Sequence, residues 1–201
     1  MLLSRLLQED FLKWKTTLFY RFILALVDDN MDVQQSAKFC FVTLLKSKNP
    51  IMFFTHFMET VFYLNNSHSH AVYNQFPQSE RERMLFSLSG VDNRRYEYIY
   101  SFIYGYFRKR MEIYKLFLAN MSDEQKFQIA AKLCQEILAP IVDGNLPYDS
   151  CSEVLYDSLV LLASKEIKLT AKSTNVAQST EEEEQEEAIN AAKDKLLSKV
   201  P

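Results

Sequence analysis

Apolar residues recur at steps of three and four along most of this chain, the spacing of one face of an α-helix. Leu2, Leu3, Leu6 and Leu7 make the first stripe, which reads as a helix entered part-way, as expected of a chain that starts inside a longer array. Trp14, Leu18, Phe22, Ala25 and Leu26 carry the pattern on until Asp28-Asp29-Asn30 breaks it and caps the next helix. Val33, Ala37, Phe41, Leu44 and Leu45 form the following stripe. Lys46-Ser47-Lys48-Asn49-Pro50 is a turn, and Pro50 suits a helix start, where its missing N–H costs nothing. Residues 51–64 are apolar almost all round, which predicts a helix packed on both sides.

Residues 65–78 are polar and irregular and read as a loop. Ser79-Glu80-Arg81-Glu82 has the form of a capping box and opens a short helix that runs to about Leu88, ended by Gly90. A long helix is predicted over 94–118. Ser122-Asp123-Glu124-Gln125 is a second capping box, followed by Phe127, Ala130, Cys134, Ile137 and Ile141 on one stripe and by the stop Asp143-Gly144-Asn145. After Pro147, Ser150-Cys151-Ser152-Glu153 reads as a third box, with Leu155, Leu159 and Leu162 on the face behind it. Residues 170–187 read as a disordered acidic linker. Residues 188–201 read as a C-terminal helix with Ile189, Ala192, Leu196 and Val200 on its apolar side.

Only three glycines and five prolines occur in 201 residues, too few for the turns of a sheet protein and consistent with long helices and few breaks. Helices of this length, apolar on more than one face, need neighbours on both sides, as in stacked helical hairpins. The run Leu26-Val27-Asp28-Asp29-Asn30-Met31-Asp32-Val33-Gln34-Gln35-Ser36-Ala37 fits that architecture: an Asp in the turn, then Val, a polar residue and a small Ala that lets two helices approach. The predicted fold is all-α, a HEAT-type helical-repeat (α-solenoid) segment. Residues 1–64 form helical hairpins, 65–78 a loop and 79–169 further hairpins. An isolated helical bundle is the structural rival.

Six glutamates, Glu181, Glu182, Glu183, Glu184, Glu186 and Glu187, carry twice the net charge of −3, so the rest of the chain stands at +3. That is too weak by itself to indicate nucleic-acid binding. Acids at a helix N-terminus are favoured by its dipole, so the glutamate run also reads as a solvated start to the last helix. Cys40, Cys134 and Cys151 are odd in number and without a CxxC, which fits a reducing compartment and three small buried residues. Met1 to Leu7 lacks the uninterrupted apolar stretch of a signal peptide, and residues 18–27 are too short to span a bilayer. Without a secretory signal, Asn65-Asn66-Ser67 and Asn120-Met121-Ser122 are chance matches to the glycosylation pattern. There is no Gly-rich phosphate loop and no GxSxG. His68-Ser69-His70 has no companion ligands at zinc spacing, and His56 reads as a core histidine. Asp28, Asp29 and Asp32 lack the Gly and final Glu of an EF-hand and serve as turn and cap. No cofactor, metal or small-molecule substrate is expected.

Leu7-Gln8-Glu9-Asp10-Phe11-Leu12-Lys13-Trp14-Lys15 resembles a run of the D-type, non-SMC HEAT subunit family of condensin II. Phe19-Tyr20-Arg21-Phe22, Lys48-Asn49-Pro50-Ile51-Met52-Phe53-Phe54 and His56-Phe57-Met58-Glu59 resemble it too. So do Phe76-Pro77-Gln78-Ser79-Glu80-Arg81-Glu82, Asp123-Glu124-Gln125 and Ser164-Lys165-Glu166-Ile167-Lys168-Leu169. Several motifs in order at plausible spacing make the resemblance specific, and it covers most of the chain. It implies a partial chain of a subunit that acts in mitotic chromosome condensation, in the nucleus and on chromosomes. The implied partners are kleisin and SMC subunits and double-stranded DNA, bound weakly and without sequence preference; the ATPase lies in another chain. The rival reading is a HEAT adaptor for nuclear transport or vesicle trafficking, which fold alone does not separate.

Two features bear on that reading. Arg94, Arg95, Arg108, Lys109, Arg110 and Lys115 are the candidate DNA or partner contacts, although a solvated face with an Arg108–Glu112 ion pair explains them as well. Residues 91–107 depart from the family pattern as an atypical aromatic insertion. Tyr96, Tyr98, Tyr100, Phe102, Tyr104 and Tyr106 alternate with a period of two, a strand signal, with Phe107 behind them. Burying all seven rings would be worth at most roughly 26 kcal/mol, so leaving them in water is implausible. The tract is an insertion packed on a neighbour, an unspliced intron translated into the chain, or a membrane-facing or aggregating segment, and the intron is preferred. Sequencing the transcript across these codons decides: a spliced message without them rules out the insertion, and a mature message that keeps them rules out the intron.

Overall fold

The structure is a computed structural model that describes residue 9 and residues 16–73, 87–89 and 99–167. Among these residues every regular element is helical. The predicted capping box at Ser79, the helix it opens, the acidic linker and the C-terminal helix lie outside the described residues, as do Arg94 and Arg95.

Helix α1 (Thr16–Ile23) tightens into a 3-10 turn (Leu24–Val27) before the acidic break. There Asp28 Oδ1 accepts from the Asn30 N–H at 2.8 Å. Asn30 Oδ1 in turn accepts from Asp32 N–H at 2.9 Å and caps α2 (Met31–Phe39). Ala37, 3% exposed, is the buried residue of α2, and α2 packs back against the 3-10 turn. From α2 the chain passes through a π turn (Cys40–Leu45) into a last helical turn (Lys46–Lys48). Helix α3 (Met52–Leu64) buries residues on every side. It packs against α4 (Ile99–Ala119), α5 (Asp123–Leu133) and α6 (Tyr148–Ala163). With apolar residues almost all round and only Thr55 of the helix exposed, α3 has its place at the centre.

Rings fill the space between these helices. Phe19 of α1 meets Phe41 edge-on at 5.5 Å and Phe117 of α4 at 5.7 Å. Phe53 of α3 meets the same Phe117 at 4.9 Å. Such pairs add about 0.5–1.5 kcal/mol each beyond the area they bury. His56 lies half-buried against Phe19, 4.5 Å between ring centres, as a core histidine should.

The box at Ser122 is formed: Gln125 N–H donates to Ser122 Oγ at 3.2 Å and Ser122 N–H to Gln125 Oε1 at 3.0 Å. Helix α5 then widens into a π turn (Cys134–Leu138) that leads into a final turn (Ala139–Val142). Pro140 explains the widening, because in a regular helix its ring would collide with the carbonyl of Glu136. Gly144 ends the helix in the left-handed region at φ 73°, where any Cβ is strained.

Three expectations are corrected. Ser150 is no cap, since α6 already begins at Tyr148 behind Pro147 and carries no side-chain cap. The inward face of α6 is Cys151, Val154, Asp157, Ser158 and Leu161, while Leu159 is 50% exposed. On α5 the buried positions are Ile129, Leu133 and Ile137, and Phe127 and Cys134 are exposed. The long helix expected over 94–118 is present from residue 99: residues 99–107 are the opening turns of α4, whose later residues Ile113, Tyr114, Phe117 and Leu118 are fully buried, and Tyr96 and Tyr98 lie outside the described residues.

A polar network crosses the interior and fixes where α4 meets α6. Arg110, 3% exposed, donates from Nε to Asp157 Oδ2 at 2.7 Å and from Nη2 to Asp157 Oδ1 at 3.0 Å. Its Nη1 reaches the Leu88 carbonyl at 2.7 Å and Glu153 Oε2 at 3.3 Å. Asp157 Oδ2 also accepts from Tyr114 Oη at 3.1 Å and from Asn65 Nδ2 at 2.8 Å. Asn65 thus points its amide nitrogen into the protein, with no room for a glycan. Burial alone lowers the pKa of Arg110, but the hydrogen bonds and charge of Asp157 outweigh it and hold the guanidinium charged. Burial and then the Asp157 carboxylate push the Tyr114 hydroxyl well above its ordinary value, and Arg110 offsets only part of this. Burial does the same for Tyr20, whose hydroxyl donates to Glu59 Oε2 at 2.5 Å.

These two tyrosines make stability fall at high pH. Above about pH 10 the unfolded chain releases the phenolic protons while the folded chain keeps them, so the folded state binds more protons and loses ground. Each contributes a slope of up to about 1.4 kcal/mol per pH unit above that point. Denaturant titrations at several alkaline pH values should show this slope reduced by one such contribution in Tyr114→Phe. An unchanged slope would show that Tyr114 ionises within the folded protein.

Candidate partner-binding groove

The Arg110–Asp157 pair ties α4 to α6, and between them lies a groove of about 630 Å³. Along α4, Phe107, Met111 and Lys115 fall at steps of four, one helix face, with Arg108 beside them. Val160 and Leu161 supply the opposite wall from α6. Lys165 and Glu166, in the turn that follows α6, close one end. The floor is apolar and the rim carries three cations and one anion. Phe107 also stands 5.2 Å from the ring of Tyr156, itself 56% exposed, so the apolar surface continues past the rim.

The structure separates the candidate basic residues from one another. Arg110 is removed from the surface altogether: the expectation that it contacts DNA or a partner is corrected, because its whole donor fork is spent inside the protein. The run Arg108-Lys109-Arg110 looks like one basic patch in sequence, but successive helix residues point about 100° apart. Lys109 turns to the first hairpin, where its Nζ lies 2.9 Å from Asp29 Oδ1. Arg108 pairs across one turn with Glu112 at 3.4 Å, as its spacing predicts, with both side chains exposed. Such a pair is worth a few tenths of a kcal/mol and leaves the guanidinium available. Lys115 is exposed and has no acidic partner among the described residues. Lys165, which the basic-residue pattern passed over, faces the same groove and is equally unpaired among the described residues.

Neither histidine of the loop pair is set up as a ligand. His68 Nε2 lies 2.9 Å from Asn66 Oδ1, and His70 Nδ1 accepts from the N–H groups of Val72 and Tyr73 at 3.2 Å. Among the described residues no group of three or more His, Cys, Asp or Glu is placed to hold a metal ion. None of the described helices is long and apolar enough to cross a membrane. The arrangement therefore offers a binding surface, and within the described residues we find no assembled nucleophile, base and oxyanion site.

No family model matches the chain, and no solved structure matches it. Curated proteins do. The chain is 41% identical over 204 residues to the mouse condensin-2 complex subunit D3, covering 99% of this chain. It is 40% identical over 205 residues to the Xenopus laevis condensin-2 complex subunit D3-L, again across 99% of its length. The Arabidopsis thaliana condensin-2 complex subunit CAP-D3 is 35% identical over 202 residues, 98% of the chain. The chain spans only 13% of the mouse and frog proteins and 14% of the plant one, so it corresponds to one segment of a much longer subunit. Through this similarity along nearly all of its residues, the chain belongs to the condensin-2 subunit D3 family.

Proposed function

We propose that this segment is a non-catalytic scaffold of a condensin II complex, acting in mitotic chromosome condensation in the nucleus. It holds kleisin and SMC subunits and touches double-stranded DNA weakly and without sequence preference. The observation that carries the reading is similarity to condensin-2 D3 subunits along nearly the whole chain. The fold supports it in kind: helices stacked around α3, with a groove between two of them, suit a part that positions other chains. The adaptor reading for transport or trafficking has no comparable observation behind it.

DNA contact falls to the exposed cations. With Arg110 buried and Lys109 facing Asp29, Arg108 and Lys115 remain from the described candidates. Phosphate contacts of this kind position a protein and do not read bases.

The full-length protein carrying this segment should co-purify with SMC and kleisin subunits, and their absence would defeat the proposal. For DNA, affinity of the chain for a duplex should fall steeply with salt. Replacing Arg108 and Lys115 by Gln should flatten the dependence of log K on log salt by about 0.9 for each lost contact. Salt-independent binding, or none at low salt, would remove the DNA part of the reading.

A further inference from the structure

We propose that the α4–α6 groove is a docking site for an acidic peptide segment of a partner protein, one that seats apolar side chains on the groove floor. The proposal rests on the partner-holding half of the reading above and names the chemistry of the segment held.

Three observations select this occupant. The floor is made by Phe107, Met111, Val160 and Leu161, and a floor of that kind gains from apolar side chains and gives nothing to a phosphate backbone. Its volume, about 630 Å³, lies in the range of roughly 300–1,000 Å³ that holds a compact ligand or a few side chains. The rim supplies charge of one dominant sign. Arg108, Lys115 and Lys165 stand against a single lining anion, Glu166, and neither lysine is neutralised by an acid among the described residues.

The charges also orient the occupant. Glu166 sits at the end of the groove where α6 finishes, and the last carbonyls of that helix add partial negative charge there. Carboxylates of a bound segment therefore belong along the α4 wall beside Arg108 and Lys115, with one reaching Lys165. Apolar residues spaced to face one side would meet Met111 and Val160, in the manner of an amphipathic segment laid in a groove between helices. Arg108 brings less than a full charge to this task, because Glu112 competes for it at 3.4 Å. Lys115 and Lys165 are the decisive pair.

The test uses the 201-residue chain and a short fluorescein-labelled peptide of glutamate and leucine, the leucines at helical spacing. Fluorescence anisotropy should show saturable binding. It should be lost when the leucines become glutamine and when the glutamates become lysine. Lys115→Glu with Lys165→Glu, both at exposed positions, should weaken binding by roughly tenfold or more. Carbon-13 methyl labelling provides an independent readout, since the Met111 signal should shift as the peptide is added. No binding by the glutamate–leucine peptide overturns the proposal. So does an unchanged affinity in the double variant, or binding that survives replacement of the leucines by glutamine, which would make the rim a general anion-binding surface instead. Failure here would leave co-purification with SMC and kleisin subunits untouched, whereas a wrong complex assignment would abolish co-purification and leave peptide binding in place.

Discussion

A guanidinium sealed in a protein interior is tolerable only if its charge and its donors are met nearly in full, and Asp157 does this for Arg110. Two parallel bonds at 2.7 and 3.0 Å match the fork of the one to the two oxygens of the other. The consequences spread because both partners have further bonds to make. Leu88 brings the carbonyl of residues 87–89 to the guanidinium, and Asn65 brings the end of α3 to the carboxylate. Tyr114, one turn along α4 from Arg110, completes the shell. Four separate stretches of chain are thus held to one point. Solvation lost by two buried ions is of the same order as their attraction, so the pair is a poor source of net stability. What it supplies is placement: α4 against α6 in one register, with Phe107, Met111 and Lys115 on one wall of the groove and Val160 and Leu161 on the other.

Much of the backbone plan is legible in the residues. The Asn30 cap, the box at Ser122 and Gln125, the stop at Gly144 and the all-round apolarity of α3 are local features, and local chemistry determines them. The features that escape such reading depend on partners distant in sequence. The face of α6 is one. Leu155, Leu159 and Leu162 are the most apolar choice, yet the helix turns Asp157 and Ser158 inward because Arg110, forty-seven residues away, needs a counter-ion. Arg110 is the other half of the same misreading: flanked by Arg108 and Lys109, it has the look of a surface cation. A buried ion pair reads in sequence as two unrelated surface charges. The only hint lies in a charged residue interrupting an otherwise apolar helix face.

The tyrosine alternation before Arg110 is a strand signal inside a stretch whose wider pattern predicts helix. A period of two signals a strand only if a sheet is there to receive it, and within the described residues helix α4 already runs through 99–107. Helix extension adds a hydrogen bond per residue once a helix exists, and burial holds the second half of α4 in place. For function, the same contrast matters. Six basic residues suggest a single electropositive surface, whereas the fold assigns Arg110 to the core, Lys109 to the first hairpin and Arg108 and Lys115 to the rim of a groove. Lys165 joins that rim from the turn after α6, fifty residues along the chain from Lys115, and only the fold brings the two together.

Arg110 and Asp157 therefore act as one unit, and a double-mutant cycle measures this directly. Arg110→Met and Asp157→Leu should each destabilise the chain by about 3–5 kcal/mol, because each strands a buried charge. The double variant should cost far less than the two together, with a coupling of at least about 2 kcal/mol. Effects that add to within about 0.5 kcal/mol would contradict the account, since they would mean that the two side chains do not depend on each other.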